Sequence, residues 1–384
     1  MSPTKSVPDG PPPHDPADPA DMTQLVDTAE VIICCGSGGV GKTTTAAVIG
    51  LAAAERGRRV AVVTIDPARR LADALGLDHI GAEPARITGQ WPGELWALML
   101  DAKSTFDSLV TRYAADEDQA NRILVNPFYR NISGTLSGTQ EYMASEKLYE
   151  LHRNEAFDLV VVDTPPTRNA LDFLEAPERL SRFLNHRLYR VVTAPSRGLL
   201  KMFNAATAAL LRQVGKVVGS EVISDAVAFF QAFEGMEEGF RLRANAVTEL
   251  FADPRCAFVL ITAPREDSVA EARYFAHRLL DDGINIKALI VNRMHPPFGE
   301  ADPAADEAAL TALQHSPGGE AMIDYHRARC DLRRHAREER SNLAELTAQV
   351  GSAAVVYVPS LATDVHDVEG LKRVGRSLLS SDPS

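Results

Sequence analysis

Val31-Ile32-Ile33-Cys34-Cys35-Gly36-Ser37-Gly38-Gly39-Val40-Gly41-Lys42-Thr43-Thr44 is the stretch that decides the architecture of this chain. Val31–Cys35 is a short unbroken apolar run, the pattern of a strand covered on both faces. Glycines follow, and Thr43–Arg56 then reads as a helix stopped by Gly57. Gly36–Thr43 fits G-x-x-x-x-G-K-[ST] in full, and it stands between a strand and a helix as that motif requires. Glycines there let the backbone curl, so that N–H groups converge on a polyphosphate at the helix N-terminus. Lys42 is then placed for the outer phosphates and the Thr43 hydroxyl for Mg²⁺. A chance glycine turn before Lys-Thr would not carry strand and helix in register.

Further apolar runs follow, at Val60–Thr64, Leu95–Leu100, Leu159–Val162, Phe258–Thr262, Ala288–Val291 and Val355–Val358. Helical patterns separate most of them. Strands alternating with helices predict an α/β fold with a doubly wound, mostly parallel sheet. Two regions exceed a minimal version of it. Residues 101–150 read as helical around a Gly/Ser-rich turn at 132–138. In 175–250, Leu199, Phe203, Ala206, Leu210, Val214 and Val217 recur at helical spacing, and Val222, Ala226, Phe229, Phe233 and Phe240 continue as a second helix. These predict an inserted helical subdomain. Residues 319–349 read as one long helix whose arginines, interspersed with Glu338, Glu339 and Glu345, form a solvated face.

Composition narrows the function classes. The chain has 384 residues, 45% hydrophobic and 24% charged, with a net charge of −12. Such a balance opposes sequence-independent nucleic-acid binding. Residues 1–27 are rich in Pro, Asp and Ala and read as a disordered tail. No apolar run is long enough for stable membrane insertion, no signal peptide is apparent, and four cysteines without C-x-x-C suit a reducing compartment. The expectation is a cytoplasmic protein.

Two carboxylates follow strands. Asp66 leaves the Val60–Thr64 strand, where it can orient or deprotonate a water, cap a helix begun by Pro67, or do both. Asp163 ends the Leu159–Val162 strand and is placed to hold Mg²⁺.

Gly38–Thr44, Asp66–Asp73 and Asp163–Leu171 together resemble the loop and two switches of the ArsA/GET family, within the MinD/ParA-like P-loop ATPases. That resemblance implies a P-loop ATPase domain over 28–380, a dimeric habit, and ATP with Mg²⁺. Phosphate contacts fall on Gly36, Ser37, Gly38, Gly39, Val40, Gly41, Lys42, Thr43 and Thr44. Asn292 matches the adenine-contacting amide, and Pro359 begins a stretch to Leu371 resembling the loop packed on adenine. Lys42 and Asp66 carry the catalysis; Thr43 and Asp163 hold the metal.

The departures are informative. Ser37 replaces the family's signature lysine, which serves the facing protomer. Arg69, Arg70 and Arg168 are substitute cations by position; a heterodimer with a related ATPase is the other source of charge, a homodimer the simpler assembly. The C-x-x-C of targeting members is missing, and Cys34 and Cys35 fit a core strand better than a metalloid site. Met202, Phe203, Phe229, Phe230, Phe233, Met236 and Phe240 form an apolar stripe that is either core or a surface for a hydrophobic membrane-protein client. An anion-exporter subunit and a MinD/ParA-like positioning switch are the alternative outputs.

Overall fold

The computed structural model describes residues 21–66, 70–132, 139–185, 220–299, 302–316 and 319–380. Asp21 caps α1 (Met22–Thr28) by accepting the Thr23 amide at 2.9 Å, and Met22 and Val26, one turn apart, are buried. The segment read as a tail to residue 27 therefore ends earlier, because this apolar pair packs on the domain core. Next come β1 (Val31–Gly36), α2 (Lys42–Glu55), β2 (Arg59–Thr64), α3 (described from Arg70 to Leu75), β3 (Ala85–Ile87) and β4 (Glu94–Met99). Alternate side chains leave opposite faces of a strand. Ile32 and Cys34 of β1 thus enter one core, and Val31, Ile33 and Cys35 another. Val60 and Val62 of β2 join the first core, Ala61 and Val63 the second. That division is why these strands read as continuous apolar runs. The Arg58 guanidinium donates to the carbonyls of Val26, Ala29 and Asp158, fastening α1 to the sheet.

The helical insertion comprises α4 (Ala102–Tyr113), α5 (Glu117–Leu124), α6 (Pro127–Ile132) and α7 (Thr139–Arg153) before β5 (Leu159–Asp163). After it come α8 (Thr167–Leu184), α9 (Ser220–Ala232) and α10 (Glu237–Ala252). A third core joins them around Leu109, Ile123, Tyr129, Phe229, Phe233 and Phe240. The helix expected over 222–240 is broken into two at Gly235, whose φ of +89° suits glycine. Phe229, Phe233, Met236 and Phe240 are buried, so this part of the stripe is core and not a client surface. Met202, Phe203 and the periodic residues from Leu199 to Val217 lie outside the described residues. α7 and α10 bridge the sheet and the helical core. Between them Arg243 Nε donates to the buried Glu146 Oε1 at 2.6 Å. Burial nevertheless holds the Glu146 carboxyl up at about 7.

The chain closes with β6 (Cys256–Thr262), α11 (Glu266–Asp281), β7 (Ile286–Met294), α12 (Pro303–Gln314), α13 (Glu320–Gln349), β8 (Ala354–Pro359) and α14 (Val368–Leu379). The eight-stranded sheet has the order β3-β4-β2-β5-β1-β6-β7-β8. Neighbouring strands are parallel except β3 with β4. Helices cover both faces, and the C-terminal ends of β1, β2, β5 and β7 meet at one edge. On α13 the solvated-face reading needs correcting. Arg327 and Arg334 are exposed, but Arg333 reaches Asp306 at 2.8 Å and Glu339 is buried beneath two imidazoles. These residues fasten α12 and the segment after β7 to the long helix. Among the described residues no helix is long and apolar enough to cross a membrane.

Candidate functional site

A cavity of about 380 Å³ opens at the C-terminal edge of the sheet, lined in part by Gly41, Lys42, Thr43, Asp66, Arg70 and Arg293. Ligands of open α/β sheets bind at this edge. The glycine loop is held there by contacts a larger residue would destroy. Gly36 passes the Ile261 carbonyl so closely that a Cβ would overlap it. Gly41 has φ +96° and faces the Asn292 amide. Gly39 and Thr44 also line the cavity, Gly38 is unobstructed, and Val40 is buried. Lys42 is buried, and its Nζ donates across the loop to the Ser37 carbonyl at 2.9 Å. Burial lowers the pKa of this ammonium, against the pull of Asp163. Ser37 is itself buried, and its hydroxyl has no hydrogen-bond partner among the described residues.

Asp163 is the hub of the site. Its Oδ2 accepts from the hydroxyls of Thr43 at 2.8 Å and Thr64 at 3.0 Å. Thr64 Oγ1 in turn accepts the Asp66 amide at 3.3 Å, and the Asp163 carbonyl accepts the Ile65 amide at 3.1 Å. One carboxylate therefore ties the phosphate loop to the segment carrying Asp66. The sheet register sets this up, since Thr64 and Cys34 both lie opposite Asp163 on neighbouring strands. Asp163 Oδ1 is buried and has no hydrogen-bond partner among the described residues. An orphaned carboxylate oxygen beside a threonine hydroxyl is a donor set that fits Mg²⁺. Thr43 and Asp163 are the residues that would hold it.

Burial pushes the Asp163 carboxyl up to about 6, against the two threonine hydrogen bonds and Lys42. Protons and Mg²⁺ compete for the same oxygens. Mg²⁺ affinity of the nucleotide-free chain is expected to be level above about pH 6 and to fall below it, approaching about tenfold per pH unit. Calorimetric Mg²⁺ titrations of the nucleotide-free chain between pH 5 and 8 check this; an unchanged affinity at pH 5 contradicts it.

Asp66 sits in the cavity wall with its Oδ2 3.8 Å from an Arg70 guanidinium nitrogen. Residues 67–69 lie outside the described residues, which leaves the helix-cap role of Asp66 and the position of Arg69 undescribed; the side chain of Arg168 is likewise undescribed. Arg70 is thus the one substitute cation whose place in the cavity is given. Asn292 donates its Nδ2 to the Val40 carbonyl at 2.9 Å, clamping the phosphate loop. Pro359 is exposed opposite Met294 at the end of β8, and Asp364, Val365 and His366 from the following loop reach the cavity. Cys34, Cys35 and Cys256 are buried, and burial pushes the Cys35 thiol up to about 12. They are core residues.

The sequence reading overlooked Thr64 as a link and Arg293 as a wall residue. Thr64 could have been found by aligning strand ends. Arg293 has φ +64°, a left-handed backbone that no neighbouring residue announces.

Comparison with known proteins identifies the family. The family profile for the anion-transporting ATPases matches residues 29–306. ATPase GET3 of Malassezia globosa is 25% identical over 289 residues, covering 74% of this chain and 80% of that protein. The ATPase ASNA1 homolog of Cryptosporidium parvum is 26% identical over 272 residues, covering 71% and 67% respectively. ATPase get3 of Schizosaccharomyces pombe is 24% identical over 279 residues, covering 72% and 77%. With the loop, the buried strand-end carboxylate and this profile all falling on one stretch of chain, the protein belongs to the anion-transporting ATPase family.

Proposed function

We propose that this chain is a Mg²⁺-dependent ATPase that works as a nucleotide-gated dimer and handles a hydrophobic client or a membrane-protein partner. The hydrogen-bonded line from Thr43 through Asp163 and Thr64 to the Asp66 amide carries the proposal. Lys42 and the loop amides bind the phosphates. Asp66 orients the attacking water and accepts its proton. Bound at Thr43 and Asp163, Mg²⁺ would neutralise phosphate charge. Because Asp163 also holds the Asp66 segment, occupancy of the loop is felt at the hydrolytic carboxylate. That coupling is what a nucleotide-gated switch needs.

The client reading rests on the helical layer, which has its own core and exposes Phe183, Val222 and Leu242. Among the alternatives, thiol coordination of a metalloid by an exporter subunit is disfavoured by the burial of Cys34, Cys35 and Cys256. A positioning switch has no specific observation in its favour.

Ser37 decides the kind of dimer we infer. A hydroxyl carries no charge, and a cation supplied in trans is worth about 10³–10⁵ in rate. Partner dependence follows: the purified chain alone is expected to hydrolyse ATP slowly. A related ATPase that brings the missing cation should raise the rate about tenfold or more. The partner is sought by pull-down with Asp66→Asn held in ATP, and the rates are compared in a coupled assay. Fast turnover by the isolated chain, unaltered in Arg69→Ala, Arg70→Ala and Arg168→Ala, defeats both partner dependence and the substitute arginines.

A further inference from the structure

His295, the residue after β7, and His335 and Glu339, one turn apart on α13, converge away from the chemistry described above. His295 Nδ1 lies 2.6 Å from Glu339 Oε1, and His335 Nε2 lies 3.4 Å from the same oxygen. The two rings meet edge-on with centroids 5.1 Å apart. All three candidate ligand atoms fall within 4.8 Å of one another. We propose that these three side chains form a binding site for one divalent transition ion of the Zn²⁺ class.

Coordination geometry supports this. Ligands at about 2.0–2.1 Å from a tetrahedral ion stand about 3.3 Å apart. His335 and Glu339 already have that separation, and the His295–Glu339 contact needs to open by about 0.7 Å. Two imidazoles and one carboxylate are borderline ligands that suit Zn²⁺ or Co²⁺ better than Mg²⁺ or Ca²⁺. Three protein ligands leave a fourth position for water. The carboxylate is also oriented as metal ligands usually are, since Glu339 Oε2 accepts the His295 backbone amide at 3.0 Å. Glu339 is 6% exposed and His335 57%, so the site has a buried anchor and an open mouth.

A second cluster on α13 shows the contrast. Asp306, His326 and Cys330 are equally close together, but Arg333 sits 2.8 Å from Asp306 and Arg329 3.9 Å. Those guanidinium groups already neutralise the carboxylate and repel a cation. Among the described residues, Glu339 has only the two imidazoles as ion-pair partners. Arg340 directs its guanidinium to the carbonyls of His295 and Ala336. A metal at His295 would pin the end of β7, two residues beyond Arg293 in the cavity wall.

The test uses the full chain, stripped with a chelator and titrated with Co²⁺ in excess Mg²⁺, which occupies the oxygen site at Asp163. One equivalent of Co²⁺ is expected to give the visible absorption of a low-coordinate ion, and Zn²⁺ should displace it. His335→Ala, on an exposed ring that leaves the fold intact, should weaken binding about tenfold or more. Glu339→Gln should do the same, and Cys330→Ser should bind like wild type. Absence of saturable Co²⁺ or Zn²⁺ binding at micromolar metal overturns the proposal and leaves a hydrogen-bonded clamp. Wild-type affinity in His335→Ala, or loss of the signal in Cys330→Ser, overturns it as well.

Discussion

Lys42→Ala is expected to abolish ATP hydrolysis, with a loss of roughly 10³-fold or more, and to weaken ATP binding. On the function proposed above, the ammonium brings positive charge to the transferring phosphoryl group, and alanine leaves nothing in its place. The fold should survive. Burial already disfavours this charge, and its one described hydrogen bond is to the Ser37 carbonyl of the same loop. Removing a buried cation from a glycine loop therefore costs function and little stability. Steady-state hydrolysis, nucleotide affinity and the thermal midpoint, measured together, separate the two effects. Wild-type hydrolysis by Lys42→Ala would remove the phosphate-loop assignment altogether.

Asp66→Asn is expected to separate binding from chemistry. ATP binding should stay within a few-fold, while hydrolysis drops by about 10²–10⁴, as for loss of a general base or water-positioning group. The substitution keeps the side chain's size, and the backbone amide that joins Thr64 is untouched. On the proposed function, what changes is the charge that would orient the attacking water. The Arg70 guanidinium, 3.8 Å from the Asp66 carboxylate, loses its counter-charge as well. That pair is largely solvated on the arginine side, so the structural effect is small. Single-turnover rates and nucleotide titrations on the same preparation decide the matter. A variant that fails to bind ATP and melts early would instead assign Asp66 to a capping role.

Much of the site was legible because its chemistry is local. The glycines, Lys42 and Thr43 are consecutive, and one strand–turn–helix reading carries all of them. Asp66 and Asp163 could be placed because a carboxylate just past an apolar strand must lie at the sheet's C-terminal edge. Asn292 was recognised only through the family resemblance, and the structure gives its amide a task at the Val40 carbonyl. No local pattern announces a contact between residues so distant in sequence. Pro359 marks the right loop, yet the cavity is reached by Asp364, Val365 and His366 further along it.

By itself the sequence determined the parallel core, since runs such as Val31–Cys35 and Leu159–Val162 must be covered on both faces. It also determined the glycine loop, where Gly39 and Gly41 hold positive φ, and the net negative charge. Tertiary structure alone decided the rest. The edge strand Ala85–Ile87 is too short to show a period and exists by pairing antiparallel with β4, helped by the Arg86–Glu94 ion pair at 3.0 Å. α1 became a helix because Met22 and Val26 found the core. Glu339 and Arg333 look like solvent-facing charges in a row of charges, and only the docking of the post-β7 segment and α12 turned them inward. Periodicity and turn chemistry are written in adjacent residues. Strand order, buried charge and the partners of Asp163 depend on which distant segments pack together, and that is fixed only when the sheet closes.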